Sequence, residues 1–533
     1  MLHSSIYEIP VSDVDPDAIG LGAESFERWL PTLLPRLVRA EDFKGFHLDN
    51  DVGTPPCNYF VLTGMNLLKF RYGISDEALV QRCFRDLGFK YALGLQRDQA
   101  PPSTSSVKRH RAKLRNRHGD DFLHRRMLVL PVEDGMIPDL DLQAIDSTNT
   151  NCRGAVIDTF NLIALGIMQL LRVVARCLNM GTDQLARQWE LSRYLTRSIK
   201  GKVAIDWSNP ESRNALLTQE IEDADRLTER VAELSMSLTL PDDVHQALSL
   251  LRQVARQDVE LSPDGGYRIA KGTAPGRVIS ITDPEARHGR KSSSKVINGF
   301  KTNVTGTIVS QFVTGIKTTD ASVHDAEPTA ELIEQTEANR VKPQALVGDC
   351  AYGTGANIRK SAELGVEILT KLPSPSSRNS IPKRDFDIDL TNMRVTCPEG
   401  VVTERFSIIR DPAGSEEKVN KFYFDKELCN QCSRSQQCSS TASKGRGRNI
   451  VLNVYEQELQ KTKAFNAAER APEILRSRSA IERLISHLVR MGMRHARFFG
   501  MYNVQFQAFM TAAVYNLQRF ITLKVRKAAL TVT

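Results

Sequence analysis

The stretch from Ala345 to Gly353 places the strongest constraint on how this chain can fold. An apolar run, Ala345 to Val347, stops at Gly348 and Asp349, and small residues follow it. The pattern predicts a buried strand with the Asp349 carboxylate at its C-terminal end. Sites built on sheets place their chemistry at that end. An aspartate there also commonly caps the next helix, so Asp349 alone does not define a site.

A second aspartate repeats the arrangement. Leu140, Leu142 and Ala144 alternate with polar residues, as on a half-buried strand, and Asp146 follows them. We therefore expect each aspartate to end a strand. If the two strands are neighbours, both carboxylates emerge at the same end of the sheet.

The segments between the aspartates complete the predicted sheet. Residues 299–308 and 312–318 alternate in polarity and predict a hairpin, and residues 329–339 predict a helix leading into the second strand. Residues 209–255 predict a helical hairpin, with Asn209 as the N-cap before Pro210. The hairpin carries no recognisable chemistry, and we interpret it as an insertion that packs or contacts a partner.

The size and charge of the chain set broad limits. Its 533 residues predict two to four domains, and the 71 Lys and Arg against 63 Asp and Glu permit a polyanionic partner without requiring one. The N-terminus has no signal-peptide pattern. The most apolar helical stretch, 161–178, is interrupted by Gln169, Arg172 and Arg176. We expect a soluble, cytoplasmic protein that does not enter a membrane.

Two basic segments could hold a polyanion. Six of the eleven residues 107–117 are Lys or Arg, behind a polar cap, and a helix precedes them, as in a DNA-binding helix-turn-helix. Residues 287–295 are basic and predict a flexible loop before a strand, a common phosphate contact. A solvated face and a solvated loop would give the same patterns. The predicted DNA contacts in these segments are Lys108, Arg109, Arg111, Lys113, Arg287, Arg290, Lys291 and Lys295.

Four of the nine cysteines are clustered. Cys397, Cys429, Cys432 and Cys438 provide the four thiolates that a closed tetrahedral zinc site needs. The surrounding segment, 386–448, is too poor in apolar residues to fold without an additional stabilising link such as a bound metal ion. We predict structural zinc here, with ordinary reduced cysteines as the alternative.

A third carboxylate lies on a predicted C-terminal helix. Glu482 stands among the apolar residues Ile481 and Ile485, which places it on the inner edge of the helix. A carboxylate there is costly unless it is paired or binds a metal, and Arg478, one turn earlier, is the simplest partner. Together with Asp146 and Asp349, Glu482 could hold two Mg2+ or Mn2+ ions that activate an attacking oxygen and stabilise a leaving one.

These residues resemble the DDE transposases of bacterial insertion sequences, and the resemblance covers nearly the whole chain. The motifs that carry it are residues 146–149, 153–161, 287–295 and 348–353, the CxxC segment and residues 494–500. The resemblance implies an α/β fold with an RNase H-like mixed sheet, an N-terminal helical domain, a helical insertion and a small Cys-rich insertion. It also implies that Asp146, Asp349 and Glu482 are the catalytic triad.

Members of this family often surround the glutamate with a Tyr-x2-Arg-x3-Glu-x6-Lys pattern. Arg478 fits, and we predict that it contacts DNA, but Leu475 and Val489 stand at the Tyr and Lys positions. Glu473 is therefore the alternative to Glu482.

The resemblance implies hydrolysis of a phosphodiester at the ends of the element and transfer of the freed 3'-OH to target DNA, by a homodimer or larger assembly on double-stranded DNA. A metal-dependent nuclease without strand transfer and an inactive DNA-binding regulator are the alternatives. The predicted organisation is an N-terminal DNA-binding domain (1–135), a catalytic core in three parts (136–165, 276–390 and 449–533), a helical insertion (166–275) and a Cys-rich insertion (391–448).

Overall fold

The structure is a computed structural model that describes residues 6–46, 57–138, 141–263, 265–290, 296–372, 380–438 and 447–532. The N-terminal part is helical. The predicted helix starts are confirmed: the Ser75 hydroxyl accepts a hydrogen bond from Ala78 N, and the Ser103 hydroxyl accepts one from Ser106 N. The helices are α1 (Phe26–Leu37), α2 (Tyr59–Tyr72), α3 (Asp76–Arg85), α4 (Leu87–Leu93), α5 (Thr104–His118) and α6 (Phe122–Glu133).

The first strand of the main sheet is followed by the predicted helical segment. Asn209 caps its longest helix, accepting a hydrogen bond from Glu211 N, with Pro210 at the first helical position as expected. The elements are β1 (Leu142–Asn151), α7 (Thr159–Cys177), α8 (Thr182–Gln188), α9 (Pro210–Ser237), α10 (Asp242–Val254), β2 (Val259–Leu261) and β3 (Tyr267–Ile269). Apolar side chains of α7, α9 and α10 form one core of their own.

Helix α7 is the one helix among the described residues that is long and apolar enough to cross a membrane. Two-thirds of its apolar window (67%) is buried inside the protein, as in the core helix of a folded domain. The helix therefore gives no indication of a membrane span.

The remaining strands complete a mixed sheet in the order β4-β5-β1-β7-β8, with β6 paired to β5. Strand β1 runs antiparallel to β5 and parallel to β7, and β7 runs parallel to β8. The elements are β4 (Arg287–Arg290), β5 (Val296–Thr307), β6 (Val313–Asp320), α11 (Thr329–Ala338), β7 (Ala345–Val347), α12 (Gly355–Glu363) and β8 (Glu367–Leu369). The predicted hairpin, helix and strand are confirmed, and the arrangement is the α/β, RNase H-like mixed sheet that was expected.

The Cys-rich segment forms two small sheets, β11-β10-β9 and β12-β13-β14. Its core is a modest cluster around Phe386, Val395 and Phe422. The elements are β9 (Asp387–Asp389), β10 (Arg394–Thr396), β11 (Val402–Thr403), β12 (Phe406–Arg410), β13 (Lys418–Tyr423), α13 (Lys426–Gln431), α14 (Ser435–Cys438) and β14 (Asn449–Val451).

The C-terminal segment is helical, as predicted, but the helix expected around Glu482 is divided into two at Arg478. The helices are α15 (Glu456–Ala467), α16 (Ala471–Ser477), α17 (Ser479–Leu488) and α18 (Met501–Val532), with a π-helical turn over Val489–Met493 after α17. Helix α17 packs Leu484 and Leu488 against Ala144 and Val304 of the sheet. Helix α18 also enters the core of the N-terminal helices, where Phe506 meets Phe70 with 5.8 Å between ring centroids. The N-terminal helices and the sheet therefore share α18.

Candidate active site

Two aspartates lie together because of the strand register. In the parallel pair β1 and β7, Ala144 is opposite Val347. Asp146 and Asp349 each stand two residues further along, so both emerge at the same end of the pair, as the sequence predicted. One expectation was wrong: β1 does not end at Asp146 but continues to Asn151, because its antiparallel partner β5 extends the ladder.

Backbone N–H groups orient both aspartates. One Asp146 carboxylate oxygen accepts a hydrogen bond from Ser147 N at 2.8 Å, and one Asp349 oxygen accepts one from Ala351 N at 2.8 Å. Asp349 thus caps the short helical turn Cys350–Tyr352. Capping uses one carboxylate oxygen and leaves the other free, so it is compatible with a role at the site.

Glu482 reaches the same site from α17. Side chains alternate along a strand, so Asp146 shares the face of Ala144, which α17 covers. Arg478, just before α17, donates to Asp146 Oδ2 at 2.9 Å and to Glu482 Oε1 at 2.5 Å. The predicted pairing of Arg478 with Glu482 is therefore present. The contact between Arg478 and Asp146 joins residues 332 positions apart, and the sequence did not predict it.

The expected burial of Glu482 was wrong. Its side chain is 54% exposed, because the apolar side of α17, with Ile481 and Leu484, faces the sheet and leaves Glu482 at the solvent edge. The third acid therefore lies at the open rim of the site.

The three acids are close enough to act on one another. Burial raises the pKa of Asp146 above its ordinary value, and the negative charges of Asp349 and Glu482 raise it further, while Ser147 N–H and Arg478 oppose the shift. Glu482 is among the main charges that act on Asp146. Glu473, on α16, is exposed. This supports Glu482 over Glu473 as the third acid.

A residue that the sequence did not single out lies beneath the acids. Tyr352 is fully buried, and its hydroxyl donates to Asn303 Oδ1 at 3.2 Å. Burial and the charges of Asp325, Asp146 and Asp349 raise the pKa of Tyr352 well above its ordinary value. The neutral phenol forms part of the floor of the site. Its place in the motif of residues 348–353 was the signal in the sequence.

The donor atoms suit a hard cation, but their spacing does not form a complete metal site. Carboxylate oxygens are the ligands that Mg2+ and Mn2+ prefer. Within the described ranges, no three His, Cys, Asp or Glu side chains are grouped closely enough to hold a metal ion. The Arg478 guanidinium lies between Asp146 and Glu482 and supplies the positive charge there.

The basic helix α5 does not present all of its predicted DNA contacts. Arg111 is buried and forms ion pairs with Asp76, beside Lys69, which is a structural role that withdraws its guanidinium from the surface. Lys113 is exposed but donates to the Phe46 carbonyl. Lys108 is exposed and lies 3.2 Å from Glu77. Arg109 is also exposed. The polar exposed side of α5 is therefore smaller than its composition indicates.

The second basic segment is partly a strand. Arg287 and Arg290 belong to β4, which pairs with the start of β5, so the expectation of a flexible loop was wrong for this part. Arg290 is exposed, and Arg287 donates to the Pro284 and Ala286 carbonyls. Strand β4 pairs with β5 from the level of Asn151 outward, so both arginines lie at or beyond the C-terminal end of β1, five or more ladder positions from Asp146. Lys291 and Lys295 lie outside the described residues.

The four clustered cysteines come together without forming a metal-ligand group. Burial raises the pKa of Cys438, and the nearby Cys429, Cys397 and Cys432 contribute to its shift. Three of them also pack on the small core of this segment. No zinc-like grouping is present in the described part of the chain, and the observed proximity fits both reduced core cysteines and an open metal site.

The structure is an α/β protein with a mixed sheet and a cluster of acidic side chains at one end of the strand pair β1 and β7. Residues 396–521 match the family model for the Transposase DDE domain, and residues 24–113 match the model described as Transposase domain (DUF772). No curated protein matches the chain at a significant level. The two matches support a DDE transposase of insertion-sequence type. The first match includes Arg478 and Glu482, whereas Asp146 and Asp349 lie outside both matches.

Proposed function

We propose that this transposase is a metal-dependent DNA recombinase that hydrolyses a phosphodiester at the ends of its element and joins the freed 3'-OH to target DNA. The observation that carries the proposal is the shared register of β1 and β7. It brings Asp146 and Asp349 to one end of the sheet, where Arg478 links Asp146 to Glu482.

In this proposal the three carboxylates hold Mg2+ or Mn2+, most simply as two ions, which supply Lewis-acid activation of the attacking and leaving oxygens when bound. Asp146 and Asp349 are oriented by backbone N–H groups, so each keeps an oxygen available as a ligand. Glu482 is exposed and can move toward the aspartates. Arg478 pairs with both Asp146 and Glu482 here, so ligation of a metal would require it to give up at least one of these contacts.

The substrate in this proposal is double-stranded DNA at the ends of the element and at the target. Exposed cations on α5 and β4, namely Lys108, Arg109 and Arg290, provide charge for the phosphate backbone. Two ends must be held together for joining, so we propose a homodimer or larger assembly on DNA. We also propose that the four cysteines, Cys397, Cys429, Cys432 and Cys438, close around a structural zinc ion when zinc is supplied.

The test is cleavage of a labelled duplex that carries the end of the element, in Mg2+ and in EDTA. We expect nicking in Mg2+ that leaves a 3'-OH, and a loss of at least about 100-fold for Asp349→Ala with DNA binding retained. The matched control is Asp387→Ala, which removes an exposed aspartate of β9; we expect it to cut like the parent.

Three outcomes would overturn parts of the proposal. Equal nicking by the parent and Asp349→Ala would remove the acidic site from the chemistry. Nicking without joined products, when target DNA is present, would identify a nuclease that does not transfer strands. DNA binding by the parent without any nicking would identify a regulator.

A further inference from the structure

A cleft lined by arginines, none of them part of the acidic site, lies further along the C-terminal segment. It has a volume of about 710 Å3 and forms where the end of α2, the π-helical turn after α17 and helix α18 meet. Four of its arginines come from these elements and one from the loop between the π-helical turn and α18: Arg71, Arg490, Arg519 and Arg526, and Arg497 in the loop. No Asp or Glu is among the described residues that line it. The permanently charged side chains among these lining residues are therefore all positive.

The charge of this cleft is not neutralised by the protein. Among the described residues, none of the five guanidinium groups has a carboxylate oxygen within 4.0 Å. Burial lowers the pKa of Arg497, and burial together with the neighbouring Arg526 lowers the pKa of Arg519. Gathering like charges in a partly buried space is unfavourable unless an anion binds there.

Arg497 is held in the cleft by specific contacts. Its Nη2 donates to the Met491 carbonyl at 3.2 Å, and its guanidinium lies 5.6 Å from the centroid of the Phe70 ring. A Cβ atom at Gly73 or Gly492 would fall 2.9 Å or 2.6 Å from Nη2, and both glycines have positive φ, 65° and 98°. The two glycines therefore leave the space that the guanidinium occupies.

Two buried donors in the cleft have no acceptor. Arg71 Nε and Arg497 Nη1 are inaccessible to solvent and have no hydrogen-bond partner. Buried N–H groups are nearly always hydrogen-bonded, and an unpaired one costs about 1–3 kcal/mol. An anion in the cleft would compensate the arginine charge directly, but it would reach these two donors only after the side chains shift, because both atoms are closed to solvent.

The cleft is close to the acids along one continuous segment of chain. His487 and Arg490 follow Glu482 by five and eight residues, which corresponds to roughly 8–12 Å of helical rise. The same distance spans roughly two to four base pairs of DNA at about 3.4 Å per nucleotide of one strand. One DNA backbone could therefore reach both the acids and the cleft.

We propose that this arginine cleft binds phosphate groups of the DNA backbone and provides a DNA contact next to the acidic site. The assignment rests on the proposed function, because it takes DNA as the substrate. Arg490 and Arg526, both exposed, form the rim that meets the backbone first. Arg71, Arg497 and Arg519 lie deeper and line the interior.

The experiment measures binding of a fluorescent duplex carrying the element end, in EDTA, at several salt concentrations. The test variant is Arg490→Gln with Arg526→Gln, since both rim residues are exposed and their loss does not disturb the core. The matched control is Arg213→Gln with Arg252→Gln, two exposed arginines on α9 and α10 with the same change of charge. Thermal unfolding of each variant verifies the fold.

We expect the rim variant to bind more weakly at low salt and the slope of log K against log salt to fall in magnitude by about 1–2, since each phosphate contact contributes about 0.9. The control should keep the slope of the parent. Equal slopes for the rim variant and the control would overturn the proposal. An unchanged slope combined with stabilisation of the parent alone by inorganic phosphate would assign the cleft to free phosphate and overturn the DNA contact.

The nicking assay separates this proposal from the proposed function. If the parent nicks DNA and Asp349→Ala does not, but the rim variant binds like the control, the cleft assignment fails and the function stands. If the parent does not nick DNA, yet the slope of log K against log salt falls for the rim variant as predicted, the cleft assignment stands and the catalytic proposal fails.

Discussion

Replacing Glu220 by Gln tests the electrostatics of the helical insertion. Glu220 lies on α9 and is completely buried, and neither of its carboxylate oxygens has a hydrogen-bond partner. Burial raises its pKa from 4.5 to about 9, and the negative charges of Asp158 and Asp223 add to the shift. The folded protein therefore keeps a proton on Glu220 at neutral pH, whereas the unfolded chain has lost it.

The sign and size of the effect follow from these two pKa values. Between pH 4.5 and about 9 the folded state binds more protons than the unfolded state, so the free energy of unfolding falls as pH rises. The decrease is about 1.4 kcal/mol per pH unit, or roughly 3 kcal/mol between pH 4.5 and pH 7. Glu220→Gln is neutral in both states and lacks this term. Its stability relative to the parent should therefore increase with pH across the window.

The assay is chemical denaturation at several pH values from about 5 to 9. The matched control is Glu222→Gln, an exposed residue on the same helix, which should follow the pH dependence of the parent. The informative quantity is the difference in unfolding free energy between variant and parent as a function of pH. A difference that stays constant over the window would show that Glu220 is ionised in the folded protein, and it would refute the reasoning.

Two further predictions concern the buried ion pair and the cysteines. Arg111→Gln should lower the free energy of unfolding by about 1–3 kcal/mol, because Asp76 would stay buried with Lys69 as its ion-pair partner; Lys108→Gln, at an exposed position, should cost under about 0.5 kcal/mol by the same denaturation measurement. Protein prepared with zinc should contain about one ion per chain by elemental analysis, and Cys432→Ser should lose it while Cys177→Ser keeps it; a zinc-free parent, or equal zinc in both variants, would contradict the zinc proposal.

The sheet could be predicted where local pattern decides structure. The strand before Asp349, the hairpin that follows residue 295 and the caps at Ser75 and Asn209 all depend on neighbouring residues, and the structure contains them. The end of β1 could not be predicted, because β5, more than 140 residues later, extends that strand past Asp146.

Long-range contacts account for the other differences. The sequence indicated that Arg478 and Glu482 share a helix face, but it gave no sign that Arg478 also bonds Asp146. Apolar neighbours suggested burial for Glu482, although the orientation of α17 on the sheet leaves it exposed. The sequence placed Arg111 on a basic exposed face, but in the structure it is buried in an ion pair with Asp76 of α3. In each case the partner lies on another element, where periodicity carries no information.

The sharing of α18 has a geometric consequence. One continuous helix, Met501–Val532, packs on the N-terminal helices and also on strand β6 of the sheet. The N-terminal helices therefore do not move independently of the sheet, because separating the two would expose the apolar core around Phe506 and Leu517. A duplex gripped by those helices would enter the acidic site at a fixed offset. The distance along the DNA between the bound segment and the cleavage position would then be fixed by the rigid packing of the two parts of the protein.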